Sequence, residues 1–485
     1  MALLIHWFRR DLRLTDNVAL TAAAQAAGGA VLPVFVLDPA LLHGRMVGPP
    51  RLAWLFANLH ALDTELRTLG SRLILRHGPP LPSLLTLARE VDAAGVYWNR
   101  DYSPYAIQRD RALKTALREA GLVAQSHKDA VIFELGEVAK ADGRPYTVYT
   151  AYARRWRARL AEQGCTPKPP PALVSLPSWP ASEPLPSMAT ASGDLAAMHL
   201  PVAGSQAAQT RLQSFLDPLQ AQNLATYATQ RDLLAAPGTS RLSPYLRMGS
   251  LSIRVALRAA LDHLAEPELP SAARESAERW IGELAWRDFY TQILYHFPHV
   301  TRGAFRREYD ALPWEDNPTY LAAWQAGLTG YPVVDAAMRQ LRQEGWMHNR
   351  ARMIVASFLS KDLLLDWRLG EQHFMHWLID GDPAANNGGW QWAAGTGTDA
   401  QPYFRIFNPV SQGQKFDPDG TYVRRYLPEL TQVPTRFIHT PHLLAPADQI
   451  RADVQIGRDY PAPIVEHKLQ RERALALYAT VRQKR

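Results

Sequence analysis

Over the first 130 residues, short apolar runs alternate with longer stretches of helical period. Residues 3–8, 31–37, 72–75, 95–98 and 122–124 read as strands. Between the second and third runs, Leu52, Leu55, Leu59, Leu62, Leu66 and Leu69 recur at helical spacing, and Gly70 is placed to end the helix. Such strand–helix alternation predicts an α/β domain with a doubly wound parallel sheet. Pro33 lacks a backbone N–H, so its presence in the second run predicts an edge strand or an irregular start.

Prolines 167, 169, 170, 171, 177, 180, 184 and 186 then mark an extended stretch crossing the surface. Beyond residue 205 the patterns turn helical, most clearly over 271–297 and 332–365, and β-branched runs become scarce. The predicted organisation is an α/β domain over 1–130, an interdomain linker over 131–204 and a large all-α domain over 205–485.

Composition narrows the class. The chain has 485 residues, 47% hydrophobic and 20% charged, which is ordinary for a globular protein with large cores. It has no apolar run long enough for a membrane span, and the N-terminus lacks the pattern of a secretory leader. A single cysteine, Cys165, excludes an intramolecular disulfide or a multi-cysteine metal site and fits a cytoplasmic location. Fifty-three basic against 46 acidic residues give a net charge of +7, which suits a polyanionic partner such as DNA.

The candidate chemistry gathers between 280 and 392, where nine of the 14 tryptophans lie. The run Asp380-Gly-Asp382-Pro-Ala-Ala-Asn386-Asn387-Gly-Gly-Trp390-Gln-Trp392 combines fixed hydrogen-bonding groups, glycines that permit positive φ or close approach, and flat indoles. That inventory suits a large, planar, polar ligand. Trp280, Glu283, Arg287 and Tyr290 share one helix face, with Trp286 adjacent. The plain structural alternative is a Glu283–Arg287 ion pair at i,i+4 among core tryptophans. Asn349, Arg352 and Met353 share another face. His348 reads as structural, since no nucleophile motif accompanies it, and no cluster has metal-ligand spacing. Thr239-Ser240-Arg241-Leu242-Ser243 offers an anion-binding turn or a simple helix cap. Trp314 and Trp367 sit beside charges, as electron carriers or as edges of the core. There is no GxGxxG or P-loop, and Gly28-Gly29 precedes a strand rather than following one.

Together, Trp7-Phe8-Arg9-Arg10-Asp11-Leu12-Arg13, Gly345-Trp346-Met347-His348-Asn349-Arg350, the 380–399 run and Pro402-Tyr403-Phe404-Arg405-Ile406-Phe407-Asn408-Pro409 closely resemble the photolyase/cryptochrome family. The nearest match is to its class I cyclobutane pyrimidine dimer photolyases, over nearly the whole chain. The resemblance implies a helical domain holding folded FAD, which accounts for the missing dinucleotide fingerprint. By motif, Tyr227, Thr239, Ser240, Arg241, Leu242, Ser243, Trp280, Arg287, Asn349, Arg352, Asp380, Asp382 and Asn386 match flavin-contacting positions. Asn386 matches the residue facing the flavin N5, where plant-type cryptochromes commonly carry Asp.

For the lesion, Glu283, Trp286, Asn349, Met353 and Trp392 match the dimer pocket. Enzymes for the (6-4) lesion usually place histidine where Met353 stands. Trp390, Trp367 and Trp314 match the photoreduction chain, and Arg231, Arg350, Arg405, Gln412 and Lys415 are candidates for DNA contacts. The implied activity is splitting of cyclobutane dimers in UV-damaged DNA by light-driven electron transfer from reduced FAD to a flipped-out dimer, by a monomer. The rival is a cryptochrome-type photoreceptor signalling through a protein partner, against which stand Asn386, the lesion set and a chain ending at Arg485 without a long tail. A third reading is a flavoprotein that binds DNA without repairing it. Tyr105-Ala106 replaces the Asn-Glu pair usual with a folate antenna, whereas Asp38, Arg51, Asp101 and Arg247 resemble the lining of an 8-hydroxy-5-deazaflavin pocket, so the expected antenna is the deazaflavin rather than folate.

Overall fold

The computed structural model describes residues 2–44, 46–191, 195 and 197–482. Five parallel strands, β1 (Leu4–Phe8), β2 (Val31–Leu37), β3 (Ile74–His77), β4 (Gly95–Asn99) and β5 (Val123–His127), form one sheet in the order β3-β2-β1-β4-β5. Every residue of β1, β2 and β4 is buried, as expected where helices cover both faces of a parallel sheet. The leucine stripe forms the Pro49–Thr68 helix, and Gly70 follows it with φ +71°.

Pro33 corrects the edge-strand expectation, because β2 lies inside the sheet. Leu4 N–H donates to the Ala30 carbonyl, so backbone alternation points the Pro33 nitrogen toward β3. The β2–β3 ladder starts only at Val34 opposite Ile74, so no bond is lost there.

The span expected as linker contains the Tyr149–Gln163 helix, which packs on the helical domain. Asp288, on the long Ser271–His296 helix, accepts from Ile132 N, Phe133 N and Trp156 Nε1 at 3.0, 3.4 and 3.1 Å. The proline-rich stretch then runs back along the sheet. Glu183 N donates to Leu75 O at 3.1 Å and Leu75 N to Ser182 Oγ at 2.9 Å, which occupies the outer edge of β3. Residues 192–194 and 196 of the expected linker lie outside the described residues.

The 332–365 pattern is interrupted. The Pro332–Glu344 helix stops at Gly345, with φ +60°, and the Asn349–Ser357 helix begins after His348. It continues into a π-helical turn, Phe358–Asp362. The Trp367–Trp377, Pro383–Ala394 and Pro409–Phe416 helices follow, and His467–Arg482 closes the described chain. Among the described residues no helix is long and apolar enough to cross a membrane.

In the order 3-2-1-4-5 the connections diverge between β1 and β4, and ligand crevices open at the carboxyl ends of such strands. Arg9, Arg10 and Asp11 follow β1, while Arg100 and Asp101 follow β4, and all line one crevice. The helical domain meets this crevice through Asp382, which pairs with Arg10.

Candidate functional site

Asp382 caps the Pro383–Ala394 helix, accepting from Ala384 N at 2.9 Å and Ala385 N at 3.2 Å. Its other oxygen receives Arg10 Nη2 at 2.5 Å, and Arg10 also reaches Asp101 at 3.4 Å. Burial alone would raise the Asp382 pKa, but Arg10, Arg247 and Arg287 hold the carboxyl far below the usual range. Arg51 Nη1 and Arg247 Nε both donate to the Gly381 carbonyl, at 2.6 and 2.8 Å. The two domains are thus joined through buried charge.

Asp380 turns the other way. Its Oδ2 accepts from Ser243 Oγ at 2.6 Å and Arg352 Nη2 at 2.8 Å, and Ser243 Oγ also receives Trp346 Nε1 at 3.3 Å. Asp380 Oδ1 is buried with no partner among the described residues. An orphaned buried carboxylate oxygen beside hydroxyl and guanidinium groups fits a polar ligand that donates a hydrogen bond. Ser243 therefore is no simple cap. Leu242 precedes the short Ser243–Met248 helix without a side-chain cap, while the Thr239 and Ser240 carbonyls accept from Arg211 at 3.1 and 2.8 Å. Arg241 adopts φ +50°, with its guanidinium 4.3 Å from the Trp346 ring centre and paired to Glu344 at 3.3 Å. Tyr227 and Trp280 are buried beside Phe215, 6.2 and 5.6 Å from its ring.

Gly388 and Gly389 are both helical, so positive φ explains neither, and close approach explains only Gly388. A Cβ on Gly388 would stand 2.1 Å from the Tyr290 ring, whereas Gly389 faces open space. Ala385 and Gly389 are exposed, and half-buried Asn386 lies on the same side. Asn386 Nδ2 donates to the Glu371 carbonyl at 3.1 Å, which fixes the amide. Asn387 Nδ2 donates to Glu371 Oε1 at 2.9 Å, and burial pushes the Glu371 carboxyl up to about 7. Small residues, an oriented amide and nearby carboxylates give this face room for a planar, hydrogen-bonding cofactor.

The expected Glu283–Arg287 pair is not made. Glu283 Oε1 receives Arg231 Nη1 at 2.5 Å, while Arg287 donates to the Ala130 carbonyl and lies near Asp382. Four residues along this helix the side chain has already turned toward the domain junction. Trp286 lies parallel to Tyr149 at 3.5 Å, with an interplanar angle of 8°, and inclined to Tyr290 at 5.3 Å. Asn349 is exposed, its Nδ2 3.9 Å from Met353 Sδ. Arg352, on the intervening position, leaves this pair for Asp380. Trp392 is half-buried, packed against the helical-domain core that holds Trp324, Trp367 and Trp390. His348 accepts from Arg350 N at 3.1 Å as the helix cap, and burial lowers it to about 4, so it stands neutral and structural.

Trp390 is buried, 5.0 Å from Phe374 and 6.0 Å from Trp324, with its ring against Gly370 of the neighbouring helix. Trp367 opens that helix and is fully buried. Glu315 N donates to Leu364 O at 2.9 Å, bringing the Trp314 segment beside the approach to Trp367. The indole N–H groups of Trp390 and Trp314 are buried without acceptors among the described residues.

At the mouth, Arg350 Nη2 reaches Asp232 Oδ1 at 2.9 Å and its guanidinium lies 4.4 Å from the Phe416 ring. Lys415 and Arg405 are exposed, and Gln412 is half-buried. Of the antenna candidates, Arg51, Arg247 and Asp101 converge on Gly381 and Asp382 through the contacts above. Asp38 is tied instead to the Tyr105 hydroxyl. Among the described residues no cluster could hold a metal ion. Sequence spacing missed Arg10, Tyr149, Asp232 and Glu371. Arg10 lay within a motif already quoted, whereas the other three gave no local signal.

Comparison with known proteins places this geometry. The DNA photolyase family model matches residues 4–173, and the FAD binding domain of DNA photolyase matches 280–480. Deoxyribodipyrimidine photo-lyase of Halobacterium salinarum is 42% identical over 99% of both chains, and that of Escherichia coli is 42% identical over 98% of each. A bacterial class III photolyase from Agrobacterium tumefaciens superposes with TM-score 0.90 at 41% identity, covering 100% of this chain and 98% of the other. A Synechocystis cryptochrome superposes with TM-score 0.86 at 28% identity, covering 98% and 99%. This structural neighbour is described as a class III enzyme rather than a class I enzyme. With full-length relatives above 40% identity and both domains matched, the chain belongs to the photolyase/cryptochrome family.

Proposed function

We propose that this protein is a light-dependent DNA repair enzyme, a deoxyribodipyrimidine photo-lyase that splits cyclobutane pyrimidine dimers. The observation that carries this reading is the open face of the Pro383–Ala394 helix, on which Asn386 is held by the Glu371 carbonyl. An amide there can hydrogen-bond a reduced flavin and has no carboxyl proton to give. Asp380, Ser243, Arg352, Asp382 and Asn386 would hold FAD, which when bound in its reduced form supplies the light-driven electron.

The chain's own groups then do the positioning. Glu283 and Asn349 bond the polar edges of the flipped dimer, Met353 packs against it, and Trp286 and Trp392 supply flat apolar surface. Arg231, Arg350, Arg405, Gln412 and Lys415 serve the DNA backbone around it. Trp390, Trp367 and Trp314 carry reducing equivalents inward from the surface. The reading includes a cytoplasmic monomer and an 8-hydroxy-5-deazaflavin antenna at Arg51, Asp101 and Arg247. A Sulfolobus tokodaii photolyase, 30% identical with TM-score 0.80 over 98% of this chain and 99% of the other, is described with two FAD molecules, which makes chromophore extraction and spectroscopy the test of the antenna.

The decisive assay uses reduced protein with UV-irradiated oligo(dT). Illumination restores thymine absorbance if the reading is right; absence of light-dependent recovery overturns it. A cryptochrome shares the fold, so this assay separates the two where topology does not.

A further inference from the structure

At the mouth of the site, one oxygen atom joins the two arginines expected to meet DNA. Asp232 Oδ1 lies 2.9 Å from Arg350 Nη2 and 3.3 Å from its Nε, and 4.0 Å from Arg231 Nε. Arg231 uses Nη1 for Glu283 at 2.5 Å and lies over the Tyr227 ring at 5.1 Å. Arg350 is flanked on its face by Phe416 at 4.4 Å. The backbone secures the same corner, since Leu234 N donates to Phe416 O at 2.9 Å. The result is an alternating row, Glu283, Arg231, Asp232, Arg350, drawn from three separate parts of the chain.

Two guanidinium groups repel one another, and each has rotamer freedom that a phosphate contact would have to remove. A shared carboxylate offsets the repulsion and fixes the Arg350 plane, while Glu283 holds Arg231. A guanidinium carries five N–H donors, so Arg350 can keep its Nε–Nη2 edge on Asp232 and present its remaining donors outward. The arginine side chains are only 19% and 18% exposed, whereas Asp232 is 38% exposed, so the pair is held at the surface by its neighbours.

We propose that Asp232 is a positioning residue that holds Arg231 and Arg350 as one clamp for a single phosphodiester beside the flipped dimer. The proposal rests on the repair reading above. It reverses what charge alone predicts, because deleting an acidic group should tighten DNA binding by a basic protein.

The test compares binding of dimer-containing and undamaged oligonucleotide by the FAD-loaded wild type, Asp232→Asn and Asp232→Glu across a salt series. The clamp predicts that Asp232→Asn weakens binding of dimer-containing DNA by about tenfold, as expected for a lost charge-assisted contact. Its log–log salt slope should fall by about 0.9, the value for one phosphate, and Asp232→Glu should restore part of the affinity. Equal or tighter binding of dimer-containing DNA by Asp232→Asn overturns the clamp. Flavin content and melting temperature report whether the variant folds. If Asp232→Asn loses FAD, Arg350→Lys carries the same test: it keeps the charge and removes the shared edge, so unchanged affinity overturns the proposal. Wild-type protein without preference for dimer-containing DNA would overturn the repair reading itself, whereas undiminished affinity of Asp232→Asn for dimer-containing DNA sinks only the clamp.

Discussion

The two ends of the 380–392 run use charge in opposite ways. At its start, Asp382 is half-buried among three arginines and locks two domains together. One to two turns on, half-buried Asn386 and exposed Gly389 carry no charge at all. Buried ion pairs give a fixed geometry only while every partner is present. Neutral amides and bare backbone give room and hydrogen bonding without imposing a field. A cofactor site therefore can be anchored rigidly at one end of a helix and left permissive at the other.

Breaking the anchored end should have the largest effect. Asp382→Asn leaves Arg10, Arg247 and Arg287 without their shared counter-charge, and removal of one partner from such a buried group costs about 3–5 kcal/mol. Denaturant unfolding should show that loss, and flavin absorbance after gel filtration should show cofactor release. Retained flavin and stability would mean that the anchor is dispensable.

On the permissive side, Trp390→Phe should abolish photoreduction of oxidised flavin while sparing repair by enzyme reduced beforehand. Equal loss of both activities would remove Trp390 from the relay. Glu283→Ala should be milder, because Glu283 is half-exposed and engages Arg231 rather than the core. A lost hydrogen bond to a charged group is worth about 1.5–3 kcal/mol, or roughly 10–100-fold in single-turnover repair. FAD should stay bound; its release would assign Glu283 to scaffold rather than lesion.

The smallest effect sharpens the boundary between the two ends. Burial raises Glu371 to about 7, so the folded protein favours its protonated form. The stability this contributes is complete below the unfolded carboxyl pKa and is lost as pH rises through about 7. Relative to Glu371→Gln, the wild type should lose at most about 1.4 kcal/mol per pH unit across that window. Parallel melting curves for the two proteins from pH 5 to 8 would exclude this titration.

Most elements were legible because their period is local. β1, β2 and β4 lie within a residue of their apolar runs, and the Ser271–His296 helix follows its pattern closely. Pro33 misled because a strand's interior position depends on where its neighbour's ladder begins, which no single run encodes. In the site, Asp380, Ser243 and Arg352 were named through motif resemblance, and the structure brings them onto one carboxylate. Spacing failed where partners are remote in sequence. Glu283 has Arg287 four residues away, yet pairs with Arg231, 52 positions earlier. Asp232 bridges to Arg350 across 118 positions, and nothing local in either segment signals the other.

The segment laid along β3 has a consequence for modularity. Ser182 and Glu183 occupy hydrogen-bonding positions that an outer strand would otherwise offer to any passing chain. An α/β domain cut at residue 130 would carry that edge bare and invite self-association. Chimaeras exchanging α/β domains between relatives should therefore transplant the sheet together with the polypeptide through Pro186, treating the proline-rich ribbon as a built-in solubility guard.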